Sequence, residues 1–322
     1  MKKTKNSGRI KRSPDFRRIL ITGAYSLTGI HLVSLLKEEI PSSEVFLSDI
    51  PSGKKTAPLH SGRILPADAR KINDFASLVT RTQPEAILHV AGLNYGDART
   101  LIEVNLLGTL ELLSAAATLT PKPVVLLIGS AAQYGLSLDS KNLIKEYDCT
   151  RPLNHYGFSK FCQEALGLMF LRTDSLDVRF TRTFNLVGPG MNEQSILGKV
   201  LAGIRQCRAS GLSHTMTVGS LSAYRDFIDV RDAVKLYKSI LLHGKAGEVY
   251  NVGSGSTHLV RDVVYELIAL SKVPLQIQET SFSSRNHASK GGAADMQKTL
   301  KLLPGFKPIP FSKSLKDMLH SV

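Results

Sequence analysis

The stretch ILITGAYSLTGIHLV, Ile19 to Val33, decides how the rest of the chain is read. It opens as an aliphatic strand, turns at Gly23 and continues as a helix through Gly29. A tight strand-to-helix turn needs a residue free of Cβ constraints, which Gly23 supplies, and Gly29 lets the helix lie close on the strand. The amides at the helix start, around Ser26, Leu27 and Thr28, make a resting place for a pyrophosphate. Ser26 stands where a middle glycine normally lets phosphate approach the backbone. Its side chain is small, and its hydroxyl is expected to donate to a phosphate oxygen. Asp49 ends the next strand candidate, where a carboxylate accepts from ribose hydroxyls and repels a 2′-phosphate. That favours NAD; Lys54 and Lys55 nearby keep NADP open.

Working outward, apolar strands alternate with amphipathic helices from Arg17 to about Thr183. The strand candidates are RILITG, EVFLSD, GRILPAD, AILHVAG, VVLLIGS and VRFTRTF. Helical stretches lie between them, including a single long one over ARTLIEVNLLGTLELLSAAATL, 98–119. Such alternation predicts an α/β fold, a Rossmann-type doubly wound parallel sheet covered on both faces. After Gly188-Pro189-Gly190 the alternation loosens, and TMTVG and YRDFIDV read as a short strand pair. The predicted division is a basic tail over 1–16, a dinucleotide-binding domain over 17–184 plus about 225–253, and a smaller α/β lobe over about 185–224 plus 254–322.

Tyr156-Gly-Phe-Ser-Lys160 is the most specific motif. Residues i and i+4 share a helix face, so phenol and ammonium point the same way. A neighbouring cation is expected to lower the pKa of the tyrosine and fit it for proton exchange near neutral pH. Ser130, at the carboxyl end of VVLLIGS, sits where ligands bind in such sheets and can bond the same substrate oxygen.

With these residues in order, the chain resembles the extended short-chain dehydrogenase/reductases, the nucleotide-sugar epimerase/dehydratase/reductase group. The resemblance runs from Arg17 to about Leu319. It rests on TGAYSLTG, HVAG, NLLGTLELL, GSAAQYG, YGFSK, RTFNLVGPG, YRDFIDVRDA and YNVGSGS as an ordered set. It implies that Gly23, Ser26, Leu27, Thr28 and Gly29 hold the pyrophosphate, that Asp49 holds the adenosine ribose, and that Asp68 with Ala69 holds the adenine. Ala91 and Gly92 pass under the cofactor, and Asn105 shapes the site. Ser130, Tyr156 and Lys160 are the implied catalytic group, with Lys160 also on the nicotinamide ribose. Ala131, Asn185, Arg225 and Arg285 are the implied substrate contacts, on a nucleotide-diphosphate sugar. Asn251, Gly253 and Gly255 read as structural. The resemblance further implies a homodimer through a four-helix interface made by the helices that carry Asn105 and Tyr156.

Members of this group differ around the catalytic serine. Dehydratases carry acidic residues directly after it; here Ala131, Ala132 and Gln133 follow, and none is an acid. Two enzymatic readings stay open. One is a reductase of a 4-keto-6-deoxy nucleotide sugar, closest in look to GDP-4-keto-6-deoxymannose reductases; the other is a 4-epimerase. A non-catalytic NAD-binding protein is the third reading.

The bulk composition is consistent with this. At 322 residues and 43% hydrophobic, the chain suffices for a large core and two lobes. A net charge of +14 suits an anionic substrate. Part of it is Lys2, Lys3, Lys5, Arg9, Lys11 and Arg12, read as a solvated tail with no secretory pattern and no nucleic-acid role. No continuous apolar run suggests a membrane span. Three scattered cysteines suggest neither a disulfide framework nor a metal site, and the expected location is the cytoplasm.

Overall fold

Alternation along the strands puts one set of side chains on each side of a sheet, and both sides are dry. Ile19 and Ile21 pack with Leu88, Leu126, Leu32, Leu36 and Val234 on one side. Leu20 packs with Ile87, Val125, Leu127, Phe75 and Phe180 on the other. The computed structural model describes residues 16–50, 64–135, 143–280 and 291–322. In chain order these form β1 (Arg18–Thr22), α1 (Leu27–Glu39), β2 (Glu44–Asp49), β3 (Ile64–Pro66), α2 (Asp74–Thr82), β4 (Ala86–His89) and α3 (Ala98–Ile102). After a wide π turn at Glu103–Leu107 come α4 (Gly108–Thr118), β5 (Val124–Ser130), a 3₁₀ turn at Ala131–Gln133, α5 (His155–Asp174) and β6 (Asp177–Thr183). The remainder is β7 (Asn185–Val187), α6 (Ile196–Ser210), β8 (His214–Val218), β9 (Tyr224–Asp229), α7 (Val230–His243) and β10 (Val249–Val252). It ends with β11 (Thr257–Leu259), α8 (Val260–Ser271), β12 (Leu275–Glu279), α9 (Gln297–Leu300) and α10 (Phe311–His320).

The large sheet has seven parallel strands in the order β10-β6-β5-β4-β1-β2-β3. The strand order reverses between β1 and β4, which opens a crevice at their carboxyl ends. This is the doubly wound Rossmann-type sheet expected from the alternation. A smaller layer holds the sheets β11-β9-β7 and β12-β8, packed on α6, α8 and α10 through Leu197, Leu201, Phe227, Val263, Leu267 and Leu315.

Two readings need correction. The stretch 98–119 is not one regular helix, because the π turn interrupts it and moves Asn105 inward. The run Ala98–Thr118 is also long and apolar enough to span a membrane; here it packs between α2 and α5, with Leu101, Val104, Leu112 and Leu113 buried. The second concerns β8 and β9, which do not pair with each other. The carbonyls of Leu221 and Ala223 between them accept from the amides of Arg261 and Val260, and this turns the chain toward α8. β8 then pairs with β12. β9, grouped with the large domain in the sequence, instead joins β7 and β11.

Candidate active site

At the crevice, Gly23 has φ +74°, and a Cβ there would lie 2.7 Å from the Ala91 nitrogen. A Cβ on Gly29 would lie 2.2 Å from the Gly23 carbonyl oxygen. Both glycines are therefore required by close backbone approach. Ser26 has φ −68° and ψ 160°, a conformation open to any residue, and it is the N-cap of α1. Its hydroxyl accepts from the Gly29 amide at 3.0 Å and donates to the Gly23 carbonyl at 2.7 Å. The proton expected to reach a phosphate is committed within the loop. The amides of Leu27 and Thr28, the first two of the helix, keep no partner among the described residues, and both residues line the larger cavity.

Asp49 accepts from the amides of Tyr25 at 2.6 Å and Ile50 at 2.7 Å, so the end of β2 also braces the glycine turn. Burial raises its pKa against those two bonds. Asp49 lines a cavity of about 260 Å³ together with Gly23, Ala69, Ala91, Gly92 and Ser48. Asp68 does not line it. Its carboxylate is gripped at two points by Arg70, at 2.9 and 2.7 Å, and that bond holds its pKa below the usual range. Lys54 and Lys55 lie outside the described residues.

A second cavity of about 790 Å³ adjoins the first, and Ser26, Val90, Gly92, Leu93, Asn94, Asn192 and Gln194 line both. Ser130, Tyr156 and Lys160 face this larger cavity together. Ser130 ends β5 and caps the 3₁₀ turn. Its oxygen accepts from Ala132, while Gln133 Oε1 accepts from the Ser130 amide at 2.9 Å. Gln133 Nε2 in turn donates to Glu164 at 2.7 Å, and Glu164 is held by Arg182 at 2.6 Å in a buried pair.

Tyr156 differs from expectation. Burial raises its pKa, and the hydrogen bond with Ser130 offsets this only in part. The lysine does not lower it, because Lys160 Nζ donates to the Ile128 carbonyl at 2.9 Å and to Gln163 Oε1 at 3.0 Å. Sharing a helix face fixes the side on which the two residues lie, but not their contact. Burial brings the ammonium of Lys160 down to about 8.

Asn105 is fully buried in the π turn. Its side chain accepts from the Leu93 amide at 2.8 Å, and donates to the Leu93 carbonyl at 2.8 Å and to Ser159 Oγ at 2.9 Å. It thus ties the segment after β4 to α5. A Cβ at Gly92 would meet Asn105 Oδ1 at 3.0 Å and Lys160 Nζ at 3.2 Å. Asn185 and Arg225 line the larger cavity, and Asn185 Nδ2 donates to the Asp226 carbonyl at 2.9 Å. Asp226 accepts from Ser254, Gly255 and Ala294, and Asp229 pairs with Arg231. Ala131 packs on the core and lines neither cavity. Arg285 lies outside the described residues. Asn251 is buried and bonded to Tyr134 and Ile144.

Sequence reasoning missed Lys199, on the first turn of α6. With Lys160 and Arg225 it makes three cations on the larger cavity, whose described lining has no Asp or Glu. The joined cleft fits an elongated anionic dinucleotide. Leu27, Thr28 and Gly92 line it, as does Ser48, whose Oγ is buried with no partner among the described residues.

Comparison with known proteins gives the family. Residues 19–253 match the NAD dependent epimerase/dehydratase family. GDP-6-deoxy-D-mannose reductase of Pseudomonas aeruginosa is 32% identical over 73% of this chain and 79% of its own. GDP-6-deoxy-D-talose 4-dehydrogenase of Aggregatibacter actinomycetemcomitans is 26% identical over 89% of this chain and 91% of its own. The solved structure of RMD from Pseudomonas aeruginosa, complexed with NADPH, superposes with a TM-score of 0.75 at 26% identity, covering 94% of this chain and 99% of that one. This chain belongs to the NAD dependent epimerase/dehydratase family, whose members here are NAD(P)-dependent nucleotide-sugar enzymes.

Proposed function

We propose that the protein is an NAD(P)-dependent reductase of a 4-keto-6-deoxy nucleotide sugar, with Tyr156 giving the proton to the C4 oxygen. One observation carries this reading: Ser130, Tyr156 and Lys160 meet on a cavity with three cations and no carboxylate among its described lining. Of these, Lys199 and Arg225 suit a diphosphate. The N-terminus of α6, capped by Ser195 and with Ile196 and Leu197 on the cavity, adds partial positive charge.

A bound reduced nicotinamide supplies the hydride. Leu27, Thr28, Asp49, Ala91 and Gly92 would hold the dinucleotide. Asn105 keeps the segment after β4 in place through Leu93, and Lys160 would present its remaining N–H to the ribose. Ser130 and Tyr156 polarise the carbonyl. The raised pKa of Tyr156 keeps the phenol protonated at neutral pH, the form a proton donor needs. A 4-epimerase would use the same residues, taking a proton from a C4 hydroxyl and returning it to the other epimer. Elimination of water needs an acid beside Ser130, and Gln133 there is fixed by Ser130 and Glu164.

Exposed apolar side chains on the π turn, α4 and α5 (Leu107, Leu110, Phe158, Phe161 and Met169) support a homodimer through these helices. Light scattering checks this: a mass near twice 35.1 kDa is expected, and a concentration-independent monomer would refute it. The reaction is tested by supplying a GDP-linked 4-keto-6-deoxy sugar with NADH or NADPH and identifying the sugar product. A C4 alcohol is expected. Tightly retained NAD with an isomerised nucleotide sugar and no consumption of reduced cofactor would establish the epimerase instead.

A further inference from the structure

Beside Lys160 stands a file of buried side chains that the proposed chemistry does not use. Gln163 is 1% exposed, and Thr109, His89 and Thr22 are fully buried; none lines either cavity. The direction of each hydrogen bond in the file can be worked out by counting protons. An ammonium only donates, so Gln163 Oε1 faces Lys160 at 3.0 Å and Nε2 donates to Thr109 Oγ1 at 2.8 Å. Thr109 gives its one proton to the Asn105 carbonyl at 2.8 Å. It must therefore accept from His89 Nε2, 3.0 Å away, as well as from Gln163. His89 is thus the neutral tautomer with its proton on Nε2, and its bare Nδ1 accepts from Thr22 Oγ1 at 2.8 Å. Thr22 Oγ1 accepts from the Ala91 amide at 3.2 Å, at the crossing where Gly23 and Ala91 meet. Each hydrogen bond in the file thus has one direction.

We propose that Gln163 is a positioning residue for Lys160, held at its other end by Thr109 and the Nε2–H tautomer of His89, so that the ammonium is fixed relative to the Gly23–Ala91 crossing. The inference deepens the reading of Tyr156 and Lys160 given above and rests on it. Burial and the charge of Lys160 hold His89 down to about 3, so its tautomer persists through the working pH range. The titratable groups facing Lys160 are His89 from β4, Tyr156 from α5 itself and, beyond Tyr156, Tyr237 from α7. No carboxylate offsets its burial among the described residues. Glu164, next to Gln163, is taken by Arg182. The Gln163 amide oxygen and the Ile128 carbonyl are thus what sustains the charge of Lys160.

The test titrates Lys160 directly, by NMR of its side-chain carbon and nitrogen in the free protein, beside Gln163→Leu and Gln163→Glu. Removing an acceptor disfavours the charged form, and adding a carboxylate favours it. The midpoint, about 8 in the wild type, is expected to fall by about one unit in the Leu variant and to rise in the Glu variant. The dissociation constant of reduced cofactor near neutral pH is expected to weaken about tenfold in the Leu variant and to recover in the Glu variant. The His89 nitrogens should show a protonated Nε2 and a bare Nδ1 from pH 5 to 9. If Gln163→Leu does not fold, Gln163→Met lacks the same acceptor and should show the same fall. An unchanged midpoint in the variants, or an Nδ1–H tautomer of His89, would overturn the proposal. These readouts need no sugar: moved midpoints without turnover would sink only the reductase reading, and turnover with unmoved midpoints only the role of Gln163.

Discussion

Ser26 holds the place of a glycine without needing to be one. Its φ of −68° is ordinary, and its hydroxyl closes the turn between Gly23 and Gly29. Ser26→Gly is expected to cost only a few tenths of a kcal/mol, and Ser26→Ala about 1 kcal/mol, by chemical denaturation, with cofactor binding retained in both. Gly29→Ala is different, because its methyl would press on the Gly23 carbonyl. A loss of roughly 2–4 kcal/mol and of cofactor binding is expected. Lys160 makes stability depend on pH. Its folded pKa, about 8, lies below the ordinary lysine value of 10.5, so the folded state holds this proton less tightly than the unfolded chain. The penalty is full below pH 8 and is relieved as pH rises toward 10.5. Relative to Lys160→Met, the wild type should therefore gain roughly 3 kcal/mol across that window. A constant difference between the two proteins would contradict the assignment.

Among the elements, the informative cases are those where pattern and structure part. The apolar periodicity of 98–119 survives one wide turn, so the pattern showed a helix and hid the π bulge that carries Asn105. The partner of β8 is β12, reached only after α8, and no local pattern encodes that pairing. By contrast β1, β4 and β5 were legible, because buried central strands are near-continuous apolar runs between turn residues, and the alternation with helices placed β2 and β6 beside them. The 3₁₀ turn after β5 rests on a chain of contacts from Ser130 through Gln133 and Glu164 to Arg182, whose side chain is 7% exposed. Arg182→Met strands the Glu164 carboxylate, so a loss of about 3–5 kcal/mol is expected in equilibrium unfolding. Turnover should also fall as the brace on Ser130 loosens. Full stability in this variant would refute the brace.

Across the whole molecule, the carboxyl edge of the large sheet presents Gly23, Asp49, Ala91 and Ser130 along one cleft, α5 adds Tyr156, and the smaller layer lines it with Lys199 and Arg225. Much of this was readable, because a glycine turn, a strand-end carboxylate and a Tyr–Lys spacing each carry their chemistry in local sequence. Lys199 was not, since a lysine on a helix gives no sign of the cavity it faces. Nor was the file behind Lys160, whose members come from β1, β4, α4 and α5. The raised pKa of Tyr156 was also hidden, because burial is a property of the assembled fold. The most direct measurement mixes the protein with reduced nicotinamide cofactor and a 4-keto-6-deoxy nucleotide sugar, and follows the reduced-nicotinamide absorbance beside Tyr156→Phe. One cofactor oxidised per sugar reduced, with at least about a hundredfold loss in the Phe variant, is the expected result. No oxidation of the cofactor, or equal rates in the two proteins, would contradict the account.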